Sequence, residues 1–358
     1  MIFLIDLEPV ETRYTAQWKK HVPEILKKQG HQVHVISGPE DIPSATTPGA
    51  FLNFGGTNIY KSRQVEEIAR LFTAGTIVAG DHFVFYDAWH PGIINLKYMS
   101  ELLKIPVKIH ALWHAGSYDP QDFLGRLIGD APWVRHAEKS FFHAIDHNYF
   151  ATNFHIKMFE KNLLGEGDQS ERYNTALMTV GKVVQTGWPM EYMETMLLPY
   201  KGLAKRDLIL FPHRIAPEKQ VEIFEDLAEQ LPQYDFIICQ EKQLTKEEYH
   251  QLLGQAKIVF SANLQETLGI SCYEGALVDA IPMVPDRLSY TEMYFDGFKY
   301  PSHWTLNWDS YLQHRQELCH HIIVTMTHYE KRLVQLRKQT EALNERFFSA
   351  QELYNQFR

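Results

Sequence analysis

Three polar constellations lie between Arg214 and Tyr294, and their residue types suit one kind of ligand, a nucleotide diphosphate joined to a sugar. The first, Arg214-Ile-Ala-Pro-Glu-Lys219, supplies two cations. A pyrophosphate that loses its sugar must carry the charge left behind, and cations already in place meet that need. The second, Glu266-Thr-Leu-Gly-Ile-Ser-Cys-Tyr-Glu274, brackets Gly269 with two carboxylates, which suits hydroxyl groups on a ribose and on a hexose or pentose. The third is Pro285-Asp-Arg-Leu-Ser-Tyr-Thr-Glu292. The chemistry these residues point to is transfer of a glycosyl group.

The elements that must position them read as strand, loop and helix. Leu208 to Phe211 is a short apolar run, Pro212 to Lys219 a loop, and Gln220 to Leu231 a helical stretch. A loop at the C-terminal edge of a parallel strand, running into a helix N-terminus, is where open α/β sheets bind anions. Arg214 then offers a fork and Lys219 a point charge. An exposed pair on an ordinary loop explains the same two residues taken alone. Glu266 and Glu274 follow the run Ile258 to Phe260 in the same manner, and Gly269 lets the backbone approach a ligand. In this reading the donor site is Arg214, Lys219, Glu266, Thr267, Leu268, Gly269, Ile270 and Glu274. Glu266 grips the transferred sugar and Glu274 the ribose. Two glutamates at this spacing are common in any helix, and it is their context that gives them weight.

In the first half, Lys108-Ile-His-Ala-Leu-Trp-His114 ends a strand with two histidines. His114, beside Gly116 at the strand tip, is the better candidate to face the sugar or the leaving phosphate, with His110 in reserve. Most of the 18 histidines are satisfied structural imidazoles. Asp87-Ala-Trp-His90 is a second strand tip, and Asp87 is a candidate for an acceptor pocket. There is no His-Glu-x-x-His, no Gly-x-Ser-x-Gly elbow and no Walker loop, and His320-His321 lacks a partner spacing for a metal.

The 358 residues, 45% hydrophobic, suffice for two domains with separate cores. No stretch approaches the ~20 apolar residues of a membrane helix, and Met1 to Asp6 lacks the features of a signal peptide. Together with three scattered cysteines and no Cys-x-x-Cys, this predicts reduced thiols and a cytoplasmic protein, or one of the host cytoplasm if phage-encoded. A net charge of -9 argues against general tracking of nucleic-acid phosphates but leaves room for a local basic cleft. The 18 tyrosines and 7 tryptophans can build base-stacking surfaces, although most aromatics serve the core.

Along the chain, Ile2 to Ile5, a helix from Arg13 to Gln29 stopped by Gly30, and Gln32 to Ile36 read as a β-α-β opening. Apolar runs follow at Ala50 to Phe54, Thr76 to Ala79, Phe83 to Phe85, Val107 to Ile109 and Tyr149 to Ala151. A polar stretch spans Leu163 to Thr179. A second series runs Val183-Val184, Leu208 to Phe211, Phe236 to Cys239, Ile258 to Phe260 and Ile281 to Val284. This alternation predicts parallel sheets covered on both faces, with a linker near Gly187 to Tyr200. From Ser310 the pattern is helical, ending in a closing helix over Tyr329 to Arg358.

At these residues the chain resembles retaining glycosyltransferases of the GT-B fold, in the glycosyltransferase family 4 group. The resemblance runs over nearly the whole chain, most specifically from Leu208 to Tyr294. Within that group it is similar to tRNA-queuosine mannosyltransferase-like proteins at Glu8-Pro9, at the strand-end histidine with its Tyr118-Asp-Pro120, at Pro212 to Arg214 and at Pro285 to Tyr290. Glu11 to Trp18 resembles, in character rather than by motif, bacteriophage glycosyltransferases that decorate hydroxymethylated DNA bases.

The resemblance implies an α/β architecture of two Rossmann-like doubly wound parallel-sheet domains facing a cleft. It implies a domain at 1–190 for the acceptor, one at 191–335 for the donor and a C-terminal helix at 336–358 packing back toward the first. It further implies that Arg214 and Lys219 hold the donor diphosphate, Glu274 the ribose, and Glu266 with the Gly269 loop the sugar. His114 stands as the cleft histidine, making Arg214, Lys219, Glu266 and His114 the catalytic set. The donor is a UDP- or GDP-type nucleotide sugar, with neither cofactor nor metal. Where the family has a Gly-Gly loop after the first strand, this chain has Val10 to Thr15, so Arg13 and Tyr14 join Asp87, His110 and His114 as acceptor residues. The favoured acceptor is a modified nucleobase in DNA or tRNA. Small-molecule, lipid and glycan acceptors, an epimerase or sugar phosphorylase on the same scaffold, and a nucleotide-sugar binding protein without turnover are the alternatives.

Overall fold

The computed structural model describes residues 1–8, 14–43, 45, 52–129, 131–165 and 180–357. The chain divides into two units, residues 1–189 with 350–358, and residues 190–349.

Unit 1 is built on a parallel sheet of β1 (Ile2–Ile5), β2 (Val33–Ile36), β3 (His82–Phe85), β4 (Lys108–Leu112), β5 (His147–Phe150) and β6 (Val183–Gln185), in the order β2-β1-β3-β4-β5-β6. Strands covered on both faces read as near-continuous apolar runs, and Ile2–Ile5 is buried throughout. Helices Thr15–Lys28, Phe54–Thr73, Gly92–Leu102 and Pro132–Ala144 connect them. The core joins Phe3 and Ile5 to Phe83, Phe85, Ile109, Trp113, Phe142 and Phe150.

Two apolar runs are not strands over the residues described. Ala50 and Phe51 lie outside the described residues, and Phe54 opens a helix whose cap, Asn53, accepts from the Gly56 amide at 2.8 Å. Thr76 to Ala79 is a connection in which Ile77 plugs the core and Val78 is exposed. Its end is fixed by Asp81, which accepts from the Val78 amide at 2.8 Å and from the N-terminal ammonium at 2.7 Å.

Unit 2 carries β7 (Leu208–Phe211), β8 (Asp235–Ile238), β9 (Ile258–Phe260), β10 (Ile281–Pro285) and β11 (Lys299–Tyr300), all parallel, in the order β11-β10-β9-β7-β8. Both units thus repeat one plan: the first strand lies between the second and the third, and later strands extend beyond the third. The chain direction reverses beside the first strand, and the crevice at the carboxyl ends there is where such sheets hold ligands. In unit 1 that position falls after β1 and β3; in unit 2 it falls after β7 and β9.

The expected closing helix over 336–358 is divided. Tyr329–Phe347 belongs to unit 2, where Gln339 donates to the Met293 carbonyl at 2.8 Å and accepts from the Phe295 amide at 2.6 Å, and Phe348 stacks on Tyr273. The chain rejoins unit 1 from Ala350, where the Leu353 amide donates to Thr186 and Phe357 lies edge-on to His82 and His110.

Candidate active site

In unit 2 the carboxyl ends of β7, β9 and β10 bring all three constellations to one edge of the sheet. The loop after β7 carries Arg214, whose guanidinium pairs with the buried carboxylate of Glu218. Lys219 follows in a short 3-10 turn, and Gln220 takes a left-handed conformation before the helix Val221–Gln230 begins. The Lys219 ammonium, almost fully buried, donates to the Gln265 carbonyl at 2.6 Å and meets Glu266 Oε2 at 3.3 Å. A pairing across 46 and 47 residues thus locks the first constellation to the second.

Glu266 is the most constrained carboxylate of the edge. Oε2 also accepts from Asn263 Nδ2 at 3.0 Å, and Oε1 accepts from the Thr267 amide at 3.1 Å. Burial works against its charge, yet the Lys219 ammonium and the Gly269 amide oppose burial, and the carboxyl lies below its ordinary range. His213, behind it, is pushed down to about 3 by burial and by Lys219. Its neutral ring donates from Nε2 to the Phe260 carbonyl at 3.2 Å.

Gly269 adopts φ +69° and caps the helix Ile270–Leu277. Leu268 and Gly269 are buried, while Thr267 and Ile270 on either side of them are half-buried. The third constellation props the edge from behind. Tyr290 brings its hydroxyl within 3.2 Å of both Ser261 Oγ and Asn263 Nδ2. Arg287 donates to the carbonyls of Ala262, Asn263 and Ser302 at 2.6, 2.7 and 2.9 Å. Asn263, Tyr290 and Arg287 are therefore the scaffold of Glu266. Arg287 and Tyr290 stand in the third constellation, to which the sequence alone assigns no role, and the one local signal of Asn263 is its place just past β9.

Glu274 is half-buried on the helix that follows. Burial raises its carboxyl to about 7, against the opposing pulls of the Tyr249 hydroxyl, 2.8 Å from Oε2, and of Lys246. A carboxyl whose folded-state pKa lies above its unfolded one adds stability below the unfolded value and loses it as pH rises through about 7. Glu274→Gln is therefore expected to be more stable than the wild type at pH 8, by roughly 2 kcal/mol, and indistinguishable from it near pH 4. Urea denaturation at the two pH values checks this.

Unit 1 presents a second edge. His114, just past β4, donates from Nε2 to the Tyr86 carbonyl at 2.5 Å, and its Nδ1 lies 2.8 Å from the Tyr14 hydroxyl. Its ring stacks on Tyr14 and packs against Trp188 at 4.5 Å. Asp87, past β3, is bound by Lys61 at 2.9 Å and by the Trp89 amide at 3.0 Å. Despite burial, Lys61 and His114 hold its carboxyl down to about 2. Lys61→Ala leaves this charge without its cation, and an expected loss of about 3 kcal/mol follows at pH 7. In the wild type the same contribution is complete above the unfolded value of 3.8 and fades as pH falls toward about 2. Guanidinium titration of the variant measures it.

His110 does not join this edge. It lies inside β4, fully buried, with Nε2 2.9 Å from His82 and Nδ1 3.0 Å from the Tyr149 hydroxyl, and its ring stacks on His147. Both of its ring nitrogens are therefore engaged within the protein. Arg13 lies outside the described residues. Among the described residues no group of three or more His, Cys, Asp or Glu side chains gathers as metal ligands, and no helix is long and apolar enough to cross a membrane.

No family model matches the chain, and no curated protein matches it in sequence. Solved structures do match in fold. Sucrose-phosphate synthase from Thermosynechococcus elongatus superposes with a TM-score of 0.61 at 12% identity, over 99% of this chain and 98% of that one. HepE from Anabaena, in complex with UDP and glucose, gives 0.55 at 13%, over 99% and 98%. WaaG, a glycosyltransferase involved in lipopolysaccharide biosynthesis, gives 0.56 at 11%, over 99% and 99%. At these identities what is shared is the fold: two Rossmann-like units in one chain, the GT-B architecture.

Proposed function

We propose that this chain is a glycosyltransferase that moves a sugar from a UDP- or GDP-type nucleotide sugar to an acceptor hydroxyl, with retained anomeric configuration and without a metal. The observation that carries the reading is the ion pair of Lys219 and Glu266 at the carboxyl edge of β7 and β9, beside the Gly269 helix start. An open α/β sheet holds an anionic ligand at that position, and cation, carboxylate and helix-start amides are the groups a sugar diphosphate needs. Similarity in fold to HepE, which was solved with UDP, supports a nucleotide-sugar donor.

In this mechanism Lys219 and Arg214 stabilise the charge that appears on the diphosphate as the glycosidic bond breaks, with the helix-start amides beside them. The departing oxygen takes the proton of the acceptor hydroxyl on the same face of the sugar. Glu266, kept ionised, accepts hydrogen bonds from sugar hydroxyls and supports the positive charge growing at the anomeric carbon. Glu274 holds the ribose. Tyr14, Asp87 and His114 are assigned to the acceptor, and we favour a modified nucleobase in DNA or tRNA because the half-buried Tyr14 and His114 bring stacked aromatic rings to this edge, the kind of surface on which bases stack.

Incubation with a panel of UDP- and GDP-sugars against hydroxymethylated DNA, tRNA and free sugars, read by mass spectrometry, tests the reading. A mass gain of one sugar on either nucleic acid is the expected result. A gain on free sugars alone removes the nucleobase acceptor, and an epimerised donor with no product removes the transferase.

A further inference from the structure

Glu274 has a partner that none of the three constellations contains. Tyr249 projects from the helix Lys246–Gln255, whose start is fixed by a capping box between Thr245 and Glu248. Its hydroxyl donates to Glu274 Oε2 at 2.8 Å. Oε1 has no hydrogen-bond partner among the described residues and is not closed off from solvent. One oxygen is therefore occupied and the other open. Lys246 comes from the same helix as Tyr249, Cys239 from the end of β8, and Cys272 from the helix that carries Glu274. Among these neighbours Tyr249 is the one whose hydrogen bond sets how the carboxylate is turned.

We infer that Tyr249 is a positioning residue for nucleotide recognition: it ties down one oxygen of Glu274 so that the other is presented to the ribose diol. The inference rests on the assignment of Glu274 to the ribose. A carboxylate held at one oxygen has fewer rotamers to lose when a diol binds, so less ordering opposes binding. The same hydrogen bond favours the ionised carboxylate, and only that form accepts from both ribose hydroxyls. Burial has already brought Glu274 to about 7, so losing the tyrosine hydroxyl moves ionisation to higher pH. A merely structural tyrosine would not move that midpoint.

The experiment is calorimetric titration of the full chain with UDP and with GDP, and with their 2′,3′-dideoxy forms, between pH 5.5 and 8.5, for the wild type, Tyr249→Phe and Glu274→Gln. Tyr249→Phe keeps the ring and the packing, and thermal melting verifies the fold. For whichever nucleotide binds, the variant is expected to weaken it about fivefold at pH 7, the effect of one hydrogen bond. It should also shift the midpoint of the pH dependence upward and leave the dideoxy affinity unchanged. In turnover assays the donor KM should rise while kcat stays within twofold. Glu274→Gln should abolish the part of the pH dependence that distinguishes each nucleotide from its dideoxy form. Weakened binding in Glu274→Gln with wild-type affinity and midpoint in Tyr249→Phe overturns the role of Tyr249 alone. Unchanged affinity in Glu274→Gln overturns the ribose assignment beneath it.

Discussion

Lys219→Met is expected to lower turnover by ~10²–10³-fold, the effect of removing one preorganised group that meets developing charge. The ammonium lies almost wholly out of solvent, so water cannot replace it when the side chain is cut. Methionine keeps most of the apolar stem, which separates loss of charge from loss of packing. A second consequence follows from the pair with Glu266 at 3.3 Å. Without Lys219, burial acts on Glu266 with weaker opposition, and its carboxyl rises toward and past its ordinary range. The acid limb of the pH–rate profile should therefore move to higher pH in the variant. Lys219→Arg restores charge but brings a fork where the site holds a point charge, so partial rescue is expected. Arg214, about a third exposed, is screened by water, and Arg214→Ala should be the milder change. Coupling between Lys219→Met and Glu266→Gln in a double-mutant cycle would show the pair acting as a unit. Near-normal turnover in Lys219→Met would remove the assignment of the diphosphate to this loop.

The residues legible in sequence were those that follow a strand directly. Arg214, Lys219, Glu266 and Gly269 each sit within nine positions of the end of β7 or β9, on the loop or helix start that follows, and strand-end logic reaches that far. Their supports were not legible because they arrive from a distance. Tyr290 meets Asn263 across 27 residues, Tyr249 meets Glu274 across 25, and Lys61 meets Asp87 across 26. No local pattern encodes such a meeting; it depends on which strands become neighbours. His110 and His114 illustrate the same limit. They look alike in sequence, but one lies inside β4 with both nitrogens paired and the other lies past its end. At Phe54 a local signal was present and outweighed: Asn53 is a good helix cap, but an apolar run around it reads as a strand.

Gly269→Ala is expected to cost the site more than any other change of one methyl group. Two separate obstacles meet at this position. At φ +69° an alanine carries the strain of a left-handed backbone, about 1 kcal/mol. Its Cβ would also stand 2.7 Å from Tyr290 Cε1, well inside contact distance. Tyr290 is fully buried, and its hydroxyl is engaged by Ser261 and Asn263, so the ring has nowhere to withdraw without disturbing the side chain that holds Glu266. The backbone must then retreat instead, taking the helix-start amides with it, and a displacement of about 1 Å at a reacting centre costs ~10²-fold in rate. The melting temperature should fall by several degrees and affinity for the nucleotide diphosphate should drop. Gly269→Asn separates the two obstacles, because asparagine tolerates the left-handed region but brings the same Cβ. If contact with Tyr290 dominates, the asparagine variant is as impaired as the alanine one; recovery in Gly269→Asn would mean that backbone conformation alone required glycine, and that the loop and Tyr290 do not act as one rigid edge.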